Sequence, residues 1–428
     1  MPPPHFIATA SRPGGQAAAG GPVPGLAGWY HGQVHDSATP SAPVPSAYAV
    51  PMLDLERQYR QIRQELLLAL TQVLDSRQFI LGEAVAGFER AAAERLGVAE
   101  AIGCSSGTDA LWLALASAGL GAGAAVVTTP FSFFASVSSI LRAGATPVLA
   151  DIDPVTFNLS PDAVERVLES PRTAGVRAIL PVHLFGQCAD WAGFARIGKE
   201  RGLTLIEDAA QAWGARWEGR NAGGLGDVAA FSFYPTKNLS AAGDAGMVAT
   251  NRAELAQRAR MLRQHGMRRR YYHDELGWNT RMDGFQGAIL AVKLRYIADW
   301  NHARREVAAR YHALFGAAGL AEAGPYAARG VVLPREIAGA HHVWHQYVIR
   351  VPRRDALREF LSARHIGSEI YYPVPLHLQK ALEGLGYKEG DFPEAERAAR
   401  EVLALPMFAE LREDEQRAVV DAIAEFLS

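Results

Sequence analysis

Between residues 101 and 250 the chain alternates short apolar runs with stretches of helical spacing, and few folds can accommodate that pattern. The runs are Ala101–Cys104, Ala125–Thr128, Pro147–Ala150, Ala178–Val182, Leu203–Glu207, Val228–Phe233 and Gly246–Thr250. Helical patterns fit between several of them, as at Ala110–Ala118 and Pro161–Leu168. Strands that alternate with helices argue an α/β class: a mainly parallel, seven-stranded sheet covered by helices, with functional groups at the strand ends.

The flanking segments read differently. Residues 1–47 are rich in Pro, Gly, Ala and Ser without periodicity, and are expected to be a disordered extension or a misassigned start. From Leu55, apolar residues at Tyr59, Ile62, Leu66, Leu70 and Val73 recur at steps of three and four, predicting an amphipathic helix. After Gly284 one long helical pattern passes through Leu290, Leu294, Ile297 and Trp300 towards Tyr311. The remainder reads as a smaller α/β domain with strands at Gln346–Val351 and Ile366–Tyr371. The expected division is therefore a large domain over 48–300 and a small one over 301–428.

Composition excludes several classes. With 49% hydrophobic and 21% charged residues, the 428-residue chain can bury a sizeable core. A formal net charge of -2 argues against a general nucleic-acid or membrane-surface binder. Cys104 and Cys188 stand in no metal-ligand or redox spacing, so no metal site and no disulfide framework is expected, and the cytoplasm is the natural location. The segment Ala110–Leu141 has no charged residue, but its glycines, Pro130 and many serines break it into a buried helix, strand and helix.

Four motifs lie at the ends of the expected strands. Ser105-Ser106-Gly107-Thr108-Asp109 follows a strand and opens a helix, where free N–H groups and the dipole suit a phosphate. Taken alone it is an ordinary helix cap. Phe131-Ser132-Phe133-Phe134 could present a ring to stack on a cofactor, although aromatic clusters are more often core. Asp208 closes an apolar strand with Gln211 just beyond it, and Ser232 and Lys237 follow another. Isolated lysines are usually solvated, yet Phe231, Phe233, Tyr234 and Pro235 set this one at an apolar strand end. An amine able to form a Schiff base, with an acid to pair with a pyridinium nitrogen, is what pyridoxal phosphate requires. The cluster His341, His342 and His345 demands no metal geometry, and Arg268-Arg269-Arg270 reads as a solvated or partner-facing loop.

Together these residues resemble the nucleotide-sugar aminotransferases of the DegT/DnrJ/StrS type, over essentially the whole chain from Val50 onward. The resemblance rests on Ser106–Leu111, Glu207–Ala212, Phe231–Leu239, Gly277–Asp283 and Tyr372–Gln379. It implies the aspartate-aminotransferase fold (fold type I) and a homodimer with shared active sites. It also implies Lys237 as the residue joined to pyridoxal 5'-phosphate and Asp208 as partner of the ring nitrogen. Phe133 and Gln211 would cover the two faces of the ring. Gly107, Thr108 and Ser232 would hold the phosphate, joined by Asn279 of the partner subunit. Arg281 and His377 are candidates for contacting the anion of donor or acceptor. The implied reaction moves an amino group from an amino acid, glutamate by analogy, to a nucleotide-linked keto-sugar. The Tyr372–Gln379 motif is similar to that of members acting at C3. A keto-cyclitol acceptor and a non-catalytic regulatory protein that binds the same cofactor are the alternatives. The latter is disfavoured by the intact Lys237–Asp208 pair.

Overall fold

Alternate side chains along each central strand belong to different cores, and this sorting organises the molecule. The computed structural model describes residues 49–170 and 175–428, so the expectation for residues 1–47 lies outside the described residues. Seven strands, β1 (Glu100–Cys104), β2 (Ala125–Thr128), β3 (Thr146–Leu149), β4 (Val176–Ile179), β5 (Thr204–Asp208), β6 (Val228–Ser232) and β7 (Gly246–Thr250), form one sheet in the order β1-β7-β6-β5-β4-β2-β3. Neighbours from β6 through β3 are parallel, and β7 runs antiparallel between β1 and β6. All seven expected runs are strands: Ala125–Thr128 and Gly246–Thr250 have the expected bounds, and the other five differ by up to three residues at an end.

Ala101, Val127, Ile179, Leu205, Ala229, Phe231, Met247 and Ala249 face one core. Their neighbours Ile102, Val126, Ala178, Ile206, Val228, Ala230 and Val248 face another. Because strand side chains alternate in direction, a run apolar at every position serves both faces, as a helix-covered parallel sheet needs. The first core is closed by α1 (Leu55–Ser76), α2 (Gly82–Leu96), α6 (Trp191–Arg201) and α8 (Gly284–Lys293). The second is closed by α3 (Gly107–Ser117), α4 (Ala135–Arg142) and α7 (Ala253–Leu262). Helix α5 (Pro161–Leu168) starts at the Ser160 cap, whose hydroxyl accepts from Ala163 N–H. The uncharged stretch resolves as α3, β2 and most of α4, and no helix among the described residues is long and apolar enough to cross a membrane.

A third core joins α9 (Ile297–Ala317), α10 (Arg354–Ala363) and α12 (Glu413–Leu427) to an antiparallel ribbon of β8 (Tyr347–Arg350) and β9 (Val402–Leu405), which follows α11 (Pro393–Glu401). Two expectations are corrected here. The long helix after Gly284 is two helices: Arg295 and Tyr296 bond to carbonyls three residues back, making a tight turn between α8 and α9. That turn leaves Leu294, Ile297 and Trp300 all buried, so apolar periodicity runs through it unbroken. The second correction is Ile366–Tyr371, which is not a strand. Its hydrogen bonds are divided between Val50 (Gly367 N–H to Val50 O, 2.8 Å) and Ala404 (Glu369 N–H to Ala404 O, 3.1 Å), so no ladder propagates. The strand that pairs with β8 is Val402–Leu405, which the sequence reading left unassigned.

Candidate active site

The segments that leave β1, β2, β4, β5 and β6 line a cavity of about 520 Å³. They contribute Ser106–Thr108, Ser132, Phe133, Ser136, Val182, Asp208, Gln211, Ser232, Tyr234 and Lys237, joined by His345, Gln346, Tyr371 and Tyr372 from the C-terminal part. Strand ends on one edge of a parallel sheet point the same way, which is why residues 130 positions apart meet there.

Asp208 is anchored first through its backbone. Its N–H donates to Pro181 O at 3.0 Å and its carbonyl accepts from His183 N–H at 2.9 Å. Its buried carboxylate accepts from Ser136 Oγ at 2.8 Å and from Ala210 N–H at 3.2 Å. Burial pushes this carboxyl above its usual range, while those two hydrogen bonds and the charge of Lys237 draw it back.

Lys237 follows a turn closed by its own N–H donating to Tyr234 O at 2.8 Å. Burial pulls its ammonium down to about 8, with the Asp208 carboxylate acting in the opposite sense. The next residue is clamped. Asn238 Nδ2 donates to Val343 O at 3.0 Å and to Asn301 Oδ1 at 2.8 Å. Its remaining oxygen must then accept from His345 Nδ1, 3.1 Å away. His345 is thereby held in one tautomer on the cavity wall, and burial and the charge of Lys237 keep it neutral.

The opening of α3 supplies an anion cradle. Ser106 caps the helix by accepting from Asp109 N–H at 3.1 Å, and the amides of Gly107 and Thr108 have no acceptor within the described residues. A Cβ on Gly107 would lie 2.5 Å from Ser232 Cβ, so only glycine lets the helix start lie against Ser232. Two free amides at a positive helix end and an adjacent hydroxyl suit a phosphate. On the cavity wall Phe133 is 62% exposed, a large apolar face that a planar ring would cover. Gln211, also in the wall, is oriented by Phe185 N–H donating to its Oε1 at 2.6 Å and by its own Nε2 donating to Tyr372 Oη at 3.0 Å. These donors and faces fit pyridoxal phosphate: an anion site, an apolar ring wall, an acid for the ring nitrogen and a lysine.

Three candidates lie elsewhere. Asn279 and Arg281 are not in the cavity wall. They are joined by Arg281 Nε donating to Asn279 Oδ1 at 3.0 Å, on a segment whose Thr280 O accepts from Ser105 N–H. His377 is buried at 2% exposure, with Nε2 held at 3.0 Å by Glu396, and no atom of it lines the cavity. Residues 267–273 form an exposed two-stranded ribbon where a loop was expected at the arginine triplet. The sequence reading missed Ser136 and Tyr372 as site residues, and it gave His345 no role. Ser136 carries no local signal, whereas Tyr372 and His345 stood in motifs already noted.

Comparison with known proteins places this geometry. A model of the DegT/DnrJ/EryC1/StrS aminotransferase family matches residues 60–424. The chain is 50% identical to a pleiotropic regulatory protein of Geobacillus stearothermophilus, over 88% of its own length and 98% of that protein's. It is 41% identical to the UDP-N-acetyl-3-dehydro-alpha-D-glucosamine 3-aminotransferase of Acidithiobacillus ferrooxidans, over 89% and 98% of the two chains. The crystal structure of DesV from S. venezuelae in complex with a ketimine intermediate matches with a TM-score of 0.83 and 41% identity, over 89% of this chain and 98% of that one. A match over most of the length, and a lysine and an acid facing one cavity, lead to the same place: the chain belongs to the DegT/DnrJ/EryC1/StrS aminotransferase family and is a pyridoxal-phosphate-dependent transaminase of the aspartate-aminotransferase fold.

Proposed function

We propose that this enzyme moves an amino group from glutamate to the ketone of a nucleotide-linked keto-sugar, with C3 as the position aminated. The observation that carries the proposal is the convergence of Lys237 and Asp208 on one cavity beside the Gly107–Thr108–Ser232 cradle. The relative from Acidithiobacillus, named as a 3-aminotransferase of a UDP-sugar, supports both the substrate class and the position.

Pyridoxal phosphate, when bound, supplies an electron sink for the substrate carbon and carries the amino group between two half-reactions. The residues of the chain do the rest. Gly107 and Thr108 amides and the Ser232 hydroxyl hold the phosphate, and Phe133 and Gln211 confine the ring between them. Asp208 holds a proton on the ring nitrogen. Lys237, with an amine drawn down to about 8, takes a proton from the substrate carbon and returns it on the other side of the transfer as general base and acid. Donor and acceptor use the same lysine in turn, so neither half-reaction needs the other's substrate. The nucleoside diphosphate serves as a handle, since remote binding energy can orient a small reactive ketone.

The proposed assembly is a homodimer in which Asn279 of the partner subunit joins the phosphate site. The placement of Asn279 outside its own chain's cavity, with its side chain exposed, supports this reading. So do the exposed apolar residues Leu67, Leu68, Leu74, Phe79 and Ile80 on and after α1. Mixing inactive Lys237→Ala and Asn279→Ala chains should restore activity through hybrid sites, and a fully active monomer would contradict it.

A mass-spectrometric screen of nucleotide keto-sugars and keto-cyclitols with glutamate tests the substrate. An amino-sugar nucleotide is the expected product; reaction of free keto-cyclitols alone would overturn the acceptor assignment. The relative named as a regulatory protein motivates a second reading, binding without turnover. Release of 2-oxoglutarate from glutamate and the loaded protein, with no acceptor present, separates the two.

A further inference from the structure

A serine inside a helix ordinarily returns its hydroxyl hydrogen bond to a carbonyl one turn back. Ser139 in α4 does so, bonding to Ala135 O. Ser136, three residues earlier in the same helix and equally buried, does not. Its Oγ reaches across to Asp208 Oδ2 at 2.8 Å, and Ser132 Oγ stands 2.9 Å behind it. The direction of this chain follows from valence. An ionised carboxylate only accepts, so the single Ser136 proton goes to Asp208 and the Ser136 oxygen accepts from Ser132. With Ala210 N–H on the other carboxylate oxygen, each oxygen of Asp208 has one fixed donor and keeps a free lone pair.

We propose that Ser136, oriented by Ser132, is a positioning residue for Asp208: it aims the carboxylate and holds it ionised so that it can keep a proton on the cofactor's ring nitrogen. The proposal rests on the assignment of Asp208 to that nitrogen. The need for such a device is visible in the surroundings. Asp208 is fully enclosed, and the titratable groups that face it are Lys237 beyond β6, His183 beyond β4 and Tyr372 from the C-terminal part. Tyr372 Oη accepts from Gln211 Nε2 and makes no hydrogen bond to Asp208, while His183 has Nε2 at 3.0 Å from Glu207 and Nδ1 accepting from Ala189 N–H. Lys237 is committed to the cofactor in the working enzyme. The hydroxyl pair and the Ala210 amide are what remain to stabilise the negative charge from within the protein, and of the two donors the serine makes the shorter bond, 2.8 Å against 3.2 Å.

The test is the pH titration of the visible absorbance of the cofactor-loaded enzyme. A proton on the ring nitrogen disfavours a second one on the lysine-linked nitrogen, so weaker retention at the ring raises the titration midpoint. Asp208→Asn should raise it most. Ser136→Ala should raise it in the same sense, Ser132→Ala by less, and Ser136→Ala should add nothing in the Asp208→Asn background. Single-turnover deamination of glutamate should fall about ten- to hundredfold in Ser136→Ala, the usual effect of losing a hydrogen bond to a buried charge. A shifted midpoint in Asp208→Asn with an unmoved one in Ser136→Ala overturns the inference while leaving the Asp208 assignment intact. Equal shifts from Ser136→Ala in both backgrounds overturn it too, because the serine would then act by a route other than Asp208. No shift in Asp208→Asn itself removes the assignment and the inference together.

Discussion

Lys237 in the cofactor-free protein should titrate near 8, and the consequence is large enough to measure by chemistry at one residue. An ordinary lysine, near 10.5, is about one part in a thousand neutral amine at about pH 7.5. With the midpoint lowered to about 8 by burial, about a quarter of Lys237 is neutral at the same pH. The gain in reactive amine is therefore roughly two hundredfold. The sign of a second effect follows from the same environment. The Asp208 carboxylate favours the ammonium and works against burial, so Asp208→Asn should move the midpoint further down, below 8. Reductive methylation with formaldehyde and borohydride reads this directly, because only the neutral amine reacts. Mass spectrometry of the peptide containing Lys237, across a pH series, gives the midpoint independently of cofactor binding. An exposed lysine such as Lys199 supplies the reference curve. A Lys237 midpoint coincident with that of Lys199 would refute the argument from burial, and an upward move in Asp208→Asn would refute the coupling.

Gly107→Ala should weaken cofactor affinity about tenfold or more in equilibrium dialysis, because its Cβ would fall 2.5 Å from Ser232 Cβ and overpacking of this kind costs about 1–3 kcal/mol. Unchanged affinity would mean that the helix start is free to move. Glu207→Leu should lower stability by about 3 kcal/mol or more in chemical denaturation, since it strips the acceptor from Gly223, Leu225 and Gly226 N–H groups within 2.8 Å and from His183. A loss below about 1 kcal/mol would show that these amides find other partners. Lys237→Ala should end turnover yet keep the denaturation midpoint of the parent, and normal turnover without added amine would remove the lysine from the chemistry.

The strands of the central sheet were legible because both of their faces are buried, so each wrote a continuous apolar run. The Lys237–Asp208 pair was legible for a related reason: each stands where such a run stops, and a charged group at that point is aimed at the strand ends. The same logic fails where the constraint is not local. Ser136 is one of several serines in an uncharged stretch, and only its contact with a residue 72 positions away distinguishes it. Val402–Leu405 is a four-residue apolar run after a helix, no different in sequence from a helix end, and becomes a strand because β8 needs an antiparallel partner. His377 shows the converse. A motif put it among the candidates for anion contact, but Glu396 and Phe392 enclose it, and proximity in sequence to the Tyr372 region did not carry its side chain to the cavity.

The antiparallel strand accounts for how the cradle and the lysine come to share one cavity. Because β7 runs against its neighbours, its first residue, Gly246, lies at the active-site edge beside Cys104 and Ser232, the last residues of β1 and β6. A side chain there has no room: a Cβ on Gly246 would sit 2.1 Å from Ser106 O. The bare backbone lets the turn into α3 settle over the start of β7, and Gly107 then reaches Ser232 across it. The chain from Ser232 to Gly246 must leave and re-enter the sheet at this same edge, through a loop held by Phe233 N–H to Ala245 O and Ala241 N–H to Phe233 O, both 2.8 Å. Lys237 rides on that loop. A parallel strand in the place of β7 would begin at the far edge of the sheet, and Gly246 would no longer lie beneath the turn into α3. The reversal of one strand, with two glycines at its crossing, thus seats the turn into α3 against Ser232 and returns the loop that carries Lys237 to the same edge.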